Sequence, residues 1–167
     1  MSFDVYLARF QRGEEVAAVN PGLIRGLLNA HLPEGRKSGP DDYYCDYEIL
    51  FEDGGVLEFN NTGLDPAKDL EGCSFRVRGL SPGASRFMYQ VACMGDMVIF
   101  NAQGRDDPDG INPLAIAVSA SQRAHVPPGV ARFPVHCRSA DEFHVLLLPS
   151  YSGWTDYRAR IVSGRRD

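Results

Sequence analysis

A histidine beside a cysteine is the first pairing in this sequence that could do chemistry. His136 and Cys137 are adjacent, and an imidazole can activate a thiol as a nucleophile in covalent catalysis. Neighbouring side chains on an extended segment point to opposite sides, however, so His136 cannot take the proton of Cys137 directly. The sequence also lacks the common motifs of serine hydrolases, zinc proteases and nucleotide-binding proteins. We therefore predict no catalytic residues from local spacing.

The remaining candidate for ion chemistry is an acidic loop that contains Asp106, Asp107 and Asp109. With Gly110 in the sixth position of a calcium-binding loop, the first and twelfth positions are Arg105 and Ile116. Both positions need oxygen ligands, so the match fails. The sequence predicts a turn-rich loop, with a weak cation site of another kind as the alternative. No metal and no cofactor is expected.

Acidic side chains are concentrated between residues 41 and 58. This stretch of eighteen residues has seven carboxylates and neither lysine nor arginine. Alternation of side chains along a strand places Asp46, Glu48 and Glu52 on one face, which Glu58 joins from the paired strand. A solvated sheet face is one explanation, and a docking surface for a basic partner is the other. The predicted partner-binding residues are Tyr44, Asp46, Glu48, Leu50, Glu52, Asp53 and Glu58.

A hairpin has to position these carboxylates. Residues 43–51 alternate, residues 56–60 return, and Asp53-Gly54-Gly55 supplies the turn. Alternation also predicts strands at 2–10 and 73–78. Residues 97–100 and 114–118 are continuous apolar runs, which indicate strands buried on both faces.

Helix signals complete the pattern. Four helices are predicted. The first begins at Asn20-Pro21, and the second runs from Ser81-Pro82 to Gly95, where a left-handed residue is expected to end it. The third and fourth begin at the capping boxes that start with Ser119 and Ser139. The last helix is predicted at about 139–163, and Pro149 is expected to interrupt it. Trp154, in the same helix, is expected to be a packing anchor. Strands come in runs and do not alternate strictly with helices. We therefore predict one α+β domain, residues 1–167, with helices packed on one face of a mainly antiparallel sheet.

Composition limits the partners. The chain has 167 residues and a formal net charge of −5, which argues against nonspecific nucleic-acid binding. No signal peptide and no apolar run long enough to span a membrane is visible, so a cytoplasmic location is expected. Its cysteines, Cys45, Cys73, Cys93 and Cys137, are at least twenty residues apart. We expect them to be reduced and buried, because no local pair could hold zinc.

Several short stretches resemble a group of small bacterial proteins that open with MSFDxYL. These stretches are Met1–Leu7 followed by Gly13-Glu14, then Gly95–Phe100, Gln122–Pro128 and Trp154–Arg158. The resemblance covers about a third of the chain and implies no catalytic or binding residue. Small acidic proteins of this type are similar to immunity proteins, which bind and block a cognate bacterial toxin.

These observations favour a binding protein over an enzyme. The leading hypothesis is an immunity-type inhibitor of a bacterial toxin, with a basic protein as partner and neither nucleic acid nor membrane. The alternative is an enzyme or small-ligand-binding domain with a site assembled from distant residues, for which His136, Cys137, Asp106 and Asp109 are candidates. A structural subunit of a larger assembly is a third possibility.

Overall fold

A computed structural model describes residues 2–11, 16–31, 45–61 and 69–163, with the backbone alone at residues 45 and 46. The strands are β1 (Phe3–Phe10), β2 (Val16–Ala17), β3 (Cys45–Leu50), β4 (Val56–Asn61), β5 (Gly72–Gly79), β6 (Val98–Asn101), β7 (Ala115–Ala117) and β8 (Val135–His136). The helices are α1 (Pro21–His31), α2 (Pro82–Gly95), α3 (Ala120–His125) and α4 (Ala140–Val162).

The strands form one sheet in the order β3-β4-β5-β1-β6-β7-β8, and β2 pairs with β1. Every pairing between these described strands is antiparallel except that of β7 with β8. The α+β class and the mainly antiparallel sheet are thereby confirmed. The predicted hairpin is β3–β4, and Gly54 has a φ of 86° in its turn, a conformation that glycine adopts without strain.

The helices are not all on the same face of the sheet. The main core joins α1, α2 and α4 to one face through alternate residues such as Val5, Phe75 and Ile99. A smaller core lies on the opposite face at one end, where Val98 and Ala117 pack with Val126, which follows α3. Strands β6 and β7 are therefore covered on both sides, as their continuous apolar sequences predicted.

The predicted left-handed end of α2 falls one residue later than expected. Asp96, not Gly95, has the left-handed backbone, with a φ of 47°. Gly95 remains helical and is needed for space, because a Cβ there would lie 2.7 Å from Met97 Cε and 3.0 Å from Val19 Cγ1. Side-chain support compensates for the aspartate, since Ser119 Oγ donates a hydrogen bond to Asp96 Oδ1 at 2.7 Å.

The last helix is continuous, so the predicted interruption at Pro149 was wrong. Proline removes the N–H that would bond to the carbonyl of Val145, but both residues are exposed, and water can satisfy that carbonyl. Packing holds the two halves of the helix together. Trp154 is 7% exposed and lies edge-on to Phe3 of β1, with ring centroids 6.1 Å apart. Its role as a packing anchor is confirmed.

The cysteines match the prediction in part. Cys73, Cys93 and Cys137 are free thiols, and Cys73 and Cys137 are buried. Cys93 was expected to be buried but is exposed, because it lies outside the buried stripe of α2. The side chain of Cys45 lies outside the described residues.

Candidate functional site

One face of the strands β3, β4, β5 and the first half of β1 has no described element packed on it. It is called the open face here. Its side chains are the alternate residues that point away from α1, α2 and α4, and they are polar or charged with three exceptions. Tyr6 is 50% exposed, Leu50 is 69% exposed, and Val56, the partner of Leu50, is partly buried. Its described members are Asp4, Tyr6, Glu48, Leu50, Val56, Glu58, Asn60, Ser74, Arg76 and Arg78.

A row of charged side chains crosses the open face. Asp4, Arg76, Glu58 and Glu48 are successive cross-strand partners from β1 to β3. Arg76 is 2.9 Å from Glu58 and 3.7 Å from Asp4, measured between nitrogen and carboxylate oxygen. The charges along the row therefore run negative, positive, negative and negative.

Glu58 is compensated from within the chain. Arg78 Nε donates to Glu58 Oε1 at 2.5 Å and Arg76 donates to Glu58 Oε2. The hydrogen bond from Arg78 is the largest of the effects that lower the pKa of Glu58, and the same bond raises the pKa of Arg78. Local sequence spacing could not indicate these ion pairs, because both arginines lie on β5, outside the acidic stretch.

Glu48 is the carboxylate of the row that has no ion pair with a described residue. It is exposed and has no hydrogen bond or ion pair with any described residue, although its charge contributes to the raised pKa of Arg78. Its direct neighbour across the hairpin is Glu58, which has the same charge. Like charges opposite one another are mildly destabilising.

Glu52 and Asp53 lie apart from the open face. Glu52 was predicted on the same strand face as Glu48, but the strand ends at Leu50, and Glu52 lies in the turn that follows, with Asp53, which was predicted there. Asp53 accepts hydrogen bonds from Ser81 Oγ at 2.6 Å and from the backbone N–H of Gly83 at 2.7 Å, and these lower its pKa. Asp53 therefore fixes the hairpin turn to the start of α2.

The structure thus divides the predicted partner-binding set. Glu48, Leu50 and Glu58 share the open face, whereas Glu52 and Asp53 lie at the turn. Asp46 occupies the register position opposite Asn60. Tyr44 lies outside the described residues. Partner binding by any of them stays a prediction.

A cleft of about 330 Å³ lies beside the turn, between the ends of α1 and α2. Phe51 and Phe87 form an aromatic wall with ring centroids 5.8 Å apart, and His31 lies edge-on to Phe87 at 4.8 Å. Glu52 and Arg86 bring opposite charges to the rim of the cleft. Its size and mixed lining would suit a small ligand with both apolar and charged parts.

The residues of the enzyme hypothesis do not form an evident reaction centre. Cys137 is buried and its Sγ donates to the carbonyl of Ser139 at 3.1 Å. Burial raises the pKa of Cys137 to about 11, which leaves little thiolate at neutral pH. His136 precedes it on β8, where the two side chains alternate.

The acidic loop has an internal structural role. Asp106 accepts hydrogen bonds from the backbone N–H groups of Arg132 and Phe133, at 2.8 and 2.9 Å, which lower its pKa. Asp109 accepts one from the N–H of Ile111, and its pKa is lowered as well. Among the described residues, no group of three or more histidine, cysteine or acidic side chains is placed to hold a metal ion.

Two polar contacts join residues that are too far apart in sequence to be paired by spacing. Ser85 Oγ and His144 Nδ1 are 2.8 Å apart between α2 and α4, but Ser85 is fully buried and therefore out of reach of a substrate. Asn101 Nδ2 donates to Ser150 Oγ at 2.7 Å, which ties β6 to α4. Both contacts satisfy buried polar groups between elements.

Comparison with protein-family models, with curated proteins and with solved structures finds no match to this chain. Within the described residues, no helix has both the length and the apolar character needed to cross a membrane, and this includes α4 with its 23 residues. The open face and the cleft are thus the two features from which a function can be argued.

Proposed function

We propose that this protein is a binding protein of the immunity type, which holds a basic protein partner on its open face in the cytoplasm. The observation that carries the proposal is a sheet face on which no described element packs, together with Glu48, a carboxylate that has no ion pair with any described residue. A positively charged partner surface would compensate this carboxylate, and charge complementarity of this kind speeds association and selects the partner.

The apolar side chains on the open face support the same proposal. Tyr6 and Leu50 are exposed amid charged residues, and interfaces combine apolar or aromatic anchors with a polar rim. A stable complex would bury roughly 800 Å² on this side. Four strands at a spacing of about 4.8 Å, each showing two or three residues about 6.6 Å apart, give a footprint of roughly 250–400 Å², so such a complex would extend beyond the open face.

A growth assay tests the proposal. The chain is expressed together with the product of the gene beside its own, and growth is measured. We expect the wild type to restore growth that the neighbour suppresses, and the variant Glu48→Lys/Leu50→Asp to restore much less. Asp156→Lys is the matched control, because it reverses an exposed charge on α4 far along the chain from the open face. A neighbour that is not toxic, or equal rescue by all three proteins, contradicts the proposal.

The cleft favours a second candidate function, which is small-ligand binding. Its aromatic wall and the opposite charges of Glu52 and Arg86 are the specific observation. A thermal-shift screen of small zwitterionic and aromatic compounds tests it, with Arg86→Ala as the variant. A compound that stabilises the wild type and the open-face variant equally, but not Arg86→Ala, would assign binding to the cleft.

A further inference from the structure

Strand β3 is the last strand of the sheet on its side, within the part of the chain that the structure describes. We infer that β3 accepts an extended segment of the basic partner as an additional antiparallel or parallel strand, with lysine or arginine placed beside Glu48. This inference rests on the proposed function and adds the manner in which the partner binds. Three observations lead to it.

The first observation is which backbone groups of β3 are not used by β4, its partner among the described strands. The N–H of Phe51 donates to the carbonyl of Gly55 at 2.9 Å, so position 51 is one whose backbone points across the hairpin, while the carbonyl of Phe51 accepts from the N–H of Gly54 at 3.0 Å. The register of β3 with β4 is regular, and hydrogen-bonded pairs alternate with non-hydrogen-bonded ones. Tyr47 and Ile49 therefore bond to β4, whereas Glu48 and Leu50 turn their N–H and C=O groups to the outer edge. Edge groups of this kind are a template for another strand.

The second observation is the order of charges across the open face. Asp4, Arg76 and Glu58 alternate in sign, and Glu48 breaks the alternation at the edge. Glu48 and Glu58 form a non-hydrogen-bonded pair, in which Cα atoms are only about 4.5 Å apart and side chains are close. A cation on an added strand would lie next to Glu48 on its other side. The row would then have a positive charge at each end of the Glu48–Glu58 pair.

The third observation decides between a second copy and a different partner. If two copies paired through β3, the strand of one would bring Glu48 close to the same acidic strand of the other. Like charges on facing strands are unfavourable, and charged residues on edge strands commonly prevent such self-pairing. A basic segment has the complementary charge. The edge therefore favours a heterologous, positively charged strand.

The test uses a synthetic peptide, acetyl-Thr-Lys-Val-Lys-Val-Lys-Thr-amide, in which lysines share one face. Binding is measured by titration up to millimolar peptide, and hydrogen exchange of individual amides is followed by NMR. We expect the amides of Glu48 and Leu50 to become protected, while those of Tyr47 and Ile49 are protected before and after. A peptide with glutamate for lysine, and one of the same composition without alternation, should both bind at least tenfold more weakly.

A pair of variants separates the backbone from the side chain. Leu50→Pro removes one edge-facing N–H without breaking a bond to β4, and Leu50→Val keeps it. Because one such bond is worth about 1 kcal/mol, the proline variant should bind the peptide roughly five- to tenfold more weakly than the valine variant. Glu48→Lys should reverse the preference and bind the glutamate peptide.

Equal binding by Leu50→Pro and Leu50→Val, protection at other amides, or no binding of the lysine peptide would overturn the inference. The growth assay distinguishes failure of strand addition from failure of the proposed immunity function. Rescue of growth without strand addition means that the partner docks on the open face without extending the sheet. Strand addition without rescue supports the edge as a site for basic strands and contradicts the immunity role.

Discussion

The two halves of the sheet differ in how many of their faces are covered. Strands β6 and β7 have helices on one side and the α3 region on the other, and their central residues are fully buried. Among the described residues, strands β3, β4 and β5 are covered on one side only, and their other side is mostly polar and charged. Burial on both sides leaves no surface for a partner. The singly covered half is therefore where this protein has both a rigid support and exposed chemistry.

Alanine substitutions of Trp154 and Tyr6 test how differently the covered face and the open face contribute to stability near β1. Trp154→Ala should lower the free energy of unfolding by about 3–5 kcal/mol, because the indole is buried against Phe3. Tyr6→Ala, on the open face, should change it by less than about 0.5–1 kcal/mol. Urea unfolding measures both. Trp154→Phe should recover much of the loss, since Nε1 has no hydrogen-bond partner among the described residues. Similar losses for Trp154→Ala and Tyr6→Ala would mean that the open face is covered.

A small-to-large substitution tests the double covering of β7. Ala117 is fully buried on the side of the smaller core, so Ala117→Leu should destabilise the protein by about 1–3 kcal/mol through overpacking. Ser74→Leu on the open face has room and should stay within about 0.5 kcal/mol. Denaturant unfolding measures both changes in the free energy of unfolding, and its dependence on denaturant concentration should be the same as in the wild type. Tolerance of leucine at position 117 would remove the difference between the two halves.

The sequence predicted this division of the sheet better than it predicted the site. Continuous apolar runs and strict alternation report directly how many faces of a strand are buried, so Ile99 and Glu48 were both placed correctly. The pairing of Glu58 with Arg76 and Arg78 depends on strand order, which local patterns do not contain. Glu52 was misplaced because alternation was extended past Leu50 into the turn. Pro149 was misjudged because exposure of the helix at that point was not visible in the sequence.

Glu58 should make the stability of the open face depend on pH. Its pKa is lowered from the ordinary value of 4.5 by Arg78 and Arg76, so its contribution is present above about 4.5 and is lost as pH falls through the lower folded value. Glu58→Gln should cost about 1 kcal/mol at pH 7, as expected for a largely surface ion-pair network. The difference from wild type should shrink below pH 4.5. A constant difference from pH 7 to pH 3 would mean that the charge of Glu58 contributes nothing.

The smallest expected effect has the opposite sign. Glu48 lies directly opposite Glu58, so Glu48→Lys should stabilise the protein by about 0.2–1 kcal/mol at low salt, by replacing a like-charge pair with an opposite one. Glu48→Gln removes the repulsion without adding a cation, so its free energy of unfolding should fall between those of the wild type and Glu48→Lys. Raising the salt concentration should reduce both gains, because the pair is exposed.

Arg78 determines whether this last expectation holds. Its raised pKa includes a contribution from Glu48, so a lysine at position 48 also repels Arg78. That contribution is the smallest of those that raise the pKa, whereas Glu58 is the direct cross-strand neighbour, and we therefore expect the gain to prevail. If Glu48→Lys is less stable than wild type, the charges of the open face are already balanced within the chain. The row would then need no cation from outside, and β3 would have no preference for a basic strand. A stabilised variant that no longer binds the lysine peptide would instead show that Glu48 costs stability and serves the partner.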